Sequence, residues 1–334
     1  MRFRSIQFIT TLFFILSAPT INNVLGQSPL STPKKVSVYY EASKNKVVVR
    51  WKKVSGASSY RISFFDTEGV RIAKGTTRNA KKKFSSGNFK AAFEYTVKVS
   101  ADSGSTSSKP TSRSYTHKLS RAAGDGKLQT QNSFGRTGGY YLPPNFDKGP
   151  KPMMVAFHGQ GAAGSSIVNA FSSLAKEFGF IIVAPSSGLT PEGEAAWEIG
   201  TEPNEFSNDF FHTQDCMEEV RGFKNVQIDP GQVLAIGYSA GGAVAPYFAT
   251  NNEEFTHFAV LHGGTHRGGF GDKIIPGWYS TGINDDLRSP TELQGYITQL
   301  TLAGFNDLTF MTYDTDHGLA KEELRQVVKW WRGR

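Results

Sequence analysis

The sequence predicts two modules in series, an all-β sandwich followed by an α/β domain with a mainly parallel sheet. Three observations carry that prediction. Residues 34 to 118 show short alternating apolar runs broken by turn residues, as strands with one buried face do. Further on the runs become continuously apolar and alternate with helical segments, as parallel strands covered on both faces do. Charge divides at the same place, with 20 Lys and Arg against 5 Asp and Glu in residues 27 to 121, and 15 against 24 in residues 122 to 334.

The bulk properties agree with two folded modules. At 334 residues the chain exceeds one average domain, and 38% hydrophobic with 20% charged residues is a globular composition that excludes a disordered chain. Residues 1 to 26 begin with Arg2 and Arg4, continue through an apolar run from Phe8 to Ala18 and end on Leu25-Gly26. That is the layout of a secretory signal peptide, too short in its apolar core for the roughly 20 residues of a membrane span. The expectation is a secreted protein with no span after signal removal. Cys216 is the only cysteine, so core burial must replace disulfides, and its amphipathic setting suits a buried structural thiol. No N-x-S/T sequon occurs.

In the first module, strands are expected at Val36 to Tyr40, Lys46 to Trp51, Tyr60 to Phe65 and Phe93 to Ser100, with a last one near Thr111 to Thr116. Lys81-Lys82-Lys83 is assigned to a loop between strands, because like charges gather where water surrounds them. Residues 119 to 126 read as a linker and 127 to 334 as the second module. There, strands are expected at Met153 to Phe157, Phe180 to Ala184, Val233 to Ile236, Phe258 to Leu261, Trp278 to Ser280 and Thr309 to Tyr313. Helices are expected near 165 to 178, 208 to 223, 240 to 250, 290 to 303 and 319 to 332.

Chemistry enters with Gly237-Tyr238-Ser239-Ala240-Gly241, directly after an apolar strand. A sharp strand-to-helix turn needs small residues two before and two after its corner, and it exposes the corner serine beside the amide-rich start of a helix. Ser239 is therefore a candidate nucleophile. A nucleophilic serine needs a base, an acid to orient the base, and donors for the oxyanion. His158-Gly159-Gln160-Gly161 follows a strand and supplies the backbone of Gln160, with Gly161 as the second choice, beside that of Ala240; His158 reads as a brace for this loop. Gly282-Ile283-Asn284-Asp285 follows another strand and offers Asp285 as the acid, with Asp286 as its rival. His317 ends the last strand and is the candidate base. The order Ser239, Asp285, His317 is the order of the α/β-hydrolase fold. His262 and His266 are spaced i, i+4, but Gly263 and Gly264 oppose the helix that would bring both rings onto a metal, so neither metal nor cofactor is expected.

Two resemblances follow from these residues. Trp51, the Ser55 to Ile62 segment and Tyr95-Thr96-Val97-Lys98-Val99-Ser100-Ala101 resemble a fibronectin type III domain, with Tyr95 in the tyrosine-corner position. Tyr140 to Pro144, His158-Gly159, Trp197 upstream of Ser207-Asn208-Asp209-Phe210, and Ile228 to Val233 before the elbow resemble the polyhydroxybutyrate depolymerase and feruloyl esterase group of α/β hydrolases. That group usually carries paired aspartates where this chain has Asn208-Asp209. The resemblance implies a secreted serine esterase acting on polymer-linked esters, with Trp197 and Tyr238 as walls of a substrate groove and the first module as spacer or tether. The basic residues 27 to 121 suit an anionic polysaccharide or cell-wall surface, and no nucleic-acid motif accompanies them. A peptidase on the same fold and a non-enzymatic adhesion module are the competing readings.

Overall fold

The computed structural model describes residues 30–41, 44–90, 93–104, 106–128, 136–200, 205–264 and 266–333. The expected signal peptide lies outside them. In the first part of the chain β1 (Lys34–Glu41), β2 (Lys46–Lys52), β3 (Ser59–Phe65), β4 (Arg71–Thr77), β5 (Lys81–Ser85), β6 (Glu94–Asp102) and β7 (Thr111–Thr116) form two antiparallel sheets, in the orders β1-β2-β5 and β4-β3-β6-β7. Alternation along the strands decides which side chains meet. Val47, Val49 and Trp51 of one sheet pack against Tyr60, Ile62, Phe64, Val97 and Val99 of the other, while Arg50 and Lys52 on the opposite face of β2 are exposed. Tyr95 accepts a hydrogen bond at its hydroxyl from the Lys90 amide at 2.7 Å, a side chain tying the chain end of one strand to the turn before it.

The assignment of Lys81-Lys82-Lys83 to a loop is corrected here. These residues open β5, where Lys81, Lys82 and Lys83 pair with Arg50, Val49 and Val48. Lys82 reaches across to donate to the Thr76 carbonyl at 3.1 Å, while Lys81 and Lys83 join the outward face. A charged run is tolerated in this strand because it is an edge, and its long stems lie along the sheet while the ammonium groups of Lys82 and Lys83 reach the Thr76 carbonyl and the Glu41 carboxylate.

The linker is the second correction. Leu119 forms a bridge with Phe223 and is buried, and Gly124–Leu128 is itself a strand, β8, antiparallel to β9 (Gly138–Leu142). From there the chain builds β10 (Lys151–Phe157), α1 (Gly164–Phe178), β11 (Ile181–Pro185), a small hairpin of β12 (Gly188–Leu189) and β13 (Ala195–Ala196), α2 (Asn208–Arg221), β14 (Ile228–Tyr238), α3 (Ala240–Thr250), β15 (His257–Leu261), β16 (Gly277–Gly282), α4 (Pro290–Leu302), β17 (Leu308–Tyr313) and α5 (Lys321–Arg332). The eight-stranded sheet has the order β17-β16-β15-β14-β10-β11-β9-β8, and β9 alone runs against the rest, antiparallel to both its neighbours β11 and β8.

Local chemistry starts and stops the helices where the sequence indicates. Ser207 caps α2 by accepting from the Phe210 amide, Ser289 caps α4 by accepting from the Glu292 amide, and Gly179 ends α1 in the left-handed region at φ 73°. β14 begins earlier than its apolar run, because Ile228 already pairs with Lys151 and a register shift absorbs the residues before Val233. Both faces of the sheet are covered. Met153, Val155 and Phe157 pack toward the α2 and α3 side, and Met154, Ala156 and Ile236 toward α1 and α5. Cys216 is buried in the first of these cores, with its sulfur 3.6 Å from His212 Nε2.

Candidate active site

Parallel strands end together along one edge, and loops from non-adjacent parts of the chain converge there. The end of β14 turns into α3 at Ser239, whose backbone sits at φ 53°, ψ −117°. That conformation is uncommon for any residue with a side chain, and it is held by crowding on either side. A Cβ on Gly237 would lie 2.0 Å from the Gly241 carbonyl oxygen, and one on Gly241 would lie 2.2 Å from that of Phe157. The glycines are there because backbone occupies the space.

His317 and Asp285 arrive on the loops after β17 and β16. Gly282 lets those loops touch, since a Cβ there would lie 2.1 Å from the Thr315 carbonyl oxygen, and the amides of Ile283 and Asn284 donate to Tyr313 and Thr315. The three candidate residues meet in line. Ser239 Oγ is 2.9 Å from His317 Nε2, and His317 Nδ1 is 2.8 Å from Asp285 Oδ2. Asp285 is buried, whereas the rival Asp286 is exposed. Asp285 Oδ1 accepts from the amides of Leu287 and Arg288 at 3.0 and 2.8 Å. Burial pushes its carboxyl up, but hydrogen bonds from His262 and His317 and from the Arg288 amide outweigh this and bring it down to about 2.

The oxyanion donors are sorted by what else they bind. The Gly161 amide donates to the Ala195 carbonyl at 3.1 Å, which takes the second choice out of use. The amides of Gln160 and Ala240 have no acceptor among the described residues, and Ala240 is the first residue of α3. His158 braces the loop from below. With burial pushing its ring down, it is neutral, donating from Nδ1 to the Gly159 carbonyl at 2.8 Å and accepting at Nε2 from the Ser187 amide at 3.0 Å.

Trp197 as a groove wall is a third correction. Trp197 is only 4% exposed, packs edge-on against Phe157, and donates from Nε1 to the His158 carbonyl at 2.8 Å. It holds the oxyanion loop in place and offers no wall. Tyr238 is half-buried, and its hydroxyl donates to the His317 carbonyl, so it pins the histidine loop. Asn208 and Asp209 pack the loop around residue 198: buried Asp209 pairs with Arg136 at 2.9 Å and accepts from the Glu198 amide at 2.7 Å, while Asn208 donates to the Glu198 carboxylate. A cavity of ≈ 380 Å³ beside the oxyanion loop is lined by Arg136, Ala162, Ser187 and Leu189 among others.

The sequence offers His262 only as half of a metal pair and gives no signal for Glu323. His262 in fact turns toward Asp285 and Glu323, while His266 meets the Tyr279 hydroxyl at 3.1 Å. The signal that would have found His262 is its place directly after β15, at the same sheet edge as Ser239. His262, Asp285 and His317 bring ligand-type atoms within 4.8 Å of one another, and hydrogen bonds among them account for that proximity.

Among solved structures, an S-formylglutathione hydrolase from Agrobacterium tumefaciens matches 63% of this chain and 95% of its own, at 15% identity and a TM-score of 0.50. The second module has the α/β-hydrolase fold. A carboxylesterase from Bacillus cereus matches 58% of this chain and 92% of its own, at 17% identity and a TM-score of 0.45. No protein-family model matches the sequence, and no curated protein matches it.

Proposed function

We propose that this α/β-hydrolase-fold chain is a secreted serine esterase that cleaves carboxylic esters carried on a polymer. The observation that carries the reading is the continuous Ser239–His317–Asp285 hydrogen-bond line at a strained elbow. Ser239 Oγ attacks the acyl carbon as its proton passes to His317 Nε2, and Asp285 fixes the ring so that Nε2 is the free acceptor. The Gln160 and Ala240 amides take the charge on the carbonyl oxygen, with the start of α3 adding its dipole. His317 then gives the proton to the departing alcohol, and water repeats the sequence on the acyl-enzyme. None of these steps calls on a metal or cofactor.

The polymeric substrate and the secretion rest on the sequence resemblances, to feruloyl esterases and polyhydroxybutyrate depolymerases and to signal peptides. No helix among the described residues is long and apolar enough to cross a membrane. The sandwich serves as a fibronectin type III-like tether; its strand order and the Tyr95 bond to the Lys90 amide support this. Its outward β1-β2-β5 face carries Lys46, Arg50, Lys52, Lys81 and Lys83 around Tyr39, with Glu41 as their carboxylate. Lys81 is held below the ordinary lysine range by desolvation and by its neighbours Arg50 and Lys83. Crowding of like charge on one face favours an anionic polysaccharide as the tethered surface.

The test is hydrolysis of p-nitrophenyl acetate, followed by methyl ferulate, acetylated xylan and short polyhydroxybutyrate oligomers. Ser239→Ala is expected to keep the fold by circular dichroism and to lose nearly all turnover; an active Ser239→Ala protein ends the proposal.

A further inference from the structure

Asp285 Oδ2 faces two imidazoles. His317 Nδ1 lies 2.8 Å from it and His262 Nδ1 lies 2.8 Å from it. Thr281 Oγ1 is also near at 3.1 Å, but it sits 2.6 Å from the Arg288 carbonyl, which takes its single proton. The two histidines therefore occupy the two lone-pair positions of one oxygen. Beyond His262 the chain of contacts continues. Its Nε2 is 3.3 Å from Glu323 Oε2, Ser280 Oγ donates to Glu323 Oε1 at 2.6 Å, and Trp278 Nε1 donates to Ser280 Oγ at 3.1 Å. The Ala320 amide donates to Glu323 Oε2 as well. The side chains of His262 and Glu323 are fully shielded from water.

This is a built arrangement, since His262 is placed by its backbone. It adopts φ 49°, a conformation a histidine rarely takes, with its amide donating to the Ser280 carbonyl at 2.8 Å. The strain turns the ring inward, between strand β16 and helix α5. A carboxylate only accepts hydrogen bonds, so a ring with a carboxylate at each nitrogen donates from both.

We propose that His262, clamped by Glu323, is a positioning residue that holds the triad acid Asp285 from the side opposite His317. This rests on the esterase reading above. Holding Oδ2 by two donors and Oδ1 by two amides leaves the carboxylate no rotation, so the orientation of His317 is set by groups that never meet substrate. The charges that face His262 are Asp285 and Glu323, and the rings of His317 and Tyr238 lie 5.6 and 5.9 Å away. Burial alone would push His262 down, yet Glu323 and Asp285 outweigh it and hold the imidazole above its ordinary value. The cluster then carries one cation between two carboxylates, and its net negative charge is cancelled when His317 takes the serine proton.

The experiment compares wild type, His262→Asn and the double variant His262→Asn/Glu323→Gln. Kinetics on p-nitrophenyl acetate are followed across pH, with Ser239→Ala in parallel. His262→Asn is expected to lower kcat roughly 10- to 100-fold with KM nearly unchanged, as a small misplacement of a reacting group does. It removes a cation beside His317 and leaves Glu323, so the acid limb of kcat/KM moves up by about one pH unit. The double variant removes both charges, so its limb returns toward wild type; a purely structural role gives no such return. Wild type should also show three low-field imidazole N–H proton resonances by NMR, two from His262 and one from His317 Nδ1, a readout that needs neither turnover nor a folded variant. A folded His262→Asn protein with wild-type kcat and limb, or fewer than three such resonances in wild type, overturns the inference. Absence of ester turnover in wild type, or full turnover in Ser239→Ala, instead overturns the esterase reading and leaves the resonances to decide the role of His262.

Discussion

Asp285 gathers four donated hydrogen bonds on two oxygens while shielded from water, which makes its ionised form the stable one in the folded state. Its folded value, about 2, lies below its ordinary value, so the stabilisation is complete above about 3.9 and is lost as pH falls through that window. Asp285→Asn should therefore flatten the fall in stability between about pH 4 and pH 2, followed by urea unfolding monitored by circular dichroism. At neutral pH the same change presents His317 with an amide that favours the wrong tautomer, and kcat should fall roughly ten-thousandfold. The two readouts separate what the carboxylate does for the fold from what it does for the serine.

At the scale of elements, the elbow between β14 and α3 depends on two glycines for a reason that distances make plain. Gly237→Ala should cost about 3 kcal/mol in a urea titration, because its Cβ must displace the Gly241 carbonyl. Gly295, in the middle of α4 with open space around it, is the control: Gly295→Ala should stabilise by up to about 1 kcal/mol through helix propensity alone. The helices α1 to α5 and the strands carrying Ser239, Asp285 and His317 were legible because each has an apolar run of the right length bounded by a cap or a glycine. β8 was not, because Gly124-Asp125-Gly126-Lys127 has no apolar pattern and is a strand only through pairing with β9. β5 is hidden in the sequence for a related reason. Three lysines look like a loop until an edge position lets their stems lie flat. The burial of Trp197 is hidden because sequence gives an aromatic residue's neighbourhood but not which way its ring faces.

For the whole molecule, the two modules meet through more than a peptide. Tyr40 of the sandwich packs against the hydrolase core, the Leu119 amide donates to the Gly222 carbonyl, and Arg121 lies over the Phe223 ring. A surface-bound sandwich would thus present the site at Ser239 in a limited set of orientations. Retention of the protein on an acidic polysaccharide such as polygalacturonate should weaken steadily as salt rises from low to about 1 M, over which the screening length falls from tens of ångströms to about 3 Å. Arg50→Glu/Lys81→Glu should abolish retention while leaving p-nitrophenyl acetate hydrolysis unchanged. Retention equal to wild type would remove the basic face as the docking surface.

The pairing of β8 with β9 also decides where the chain can be cut. A fragment that starts at residue 127 loses most of β8 and leaves the backbone donors and acceptors of β9 open along a rim of the sheet. Such a rim is a template on which a second molecule adds its own strand, so that fragment is expected to self-associate on size-exclusion chromatography, and one that starts at residue 119 is not. A few glycine-rich residues before the catalytic module thereby act as its selvedge, the finished border that keeps one sheet from knitting into the next.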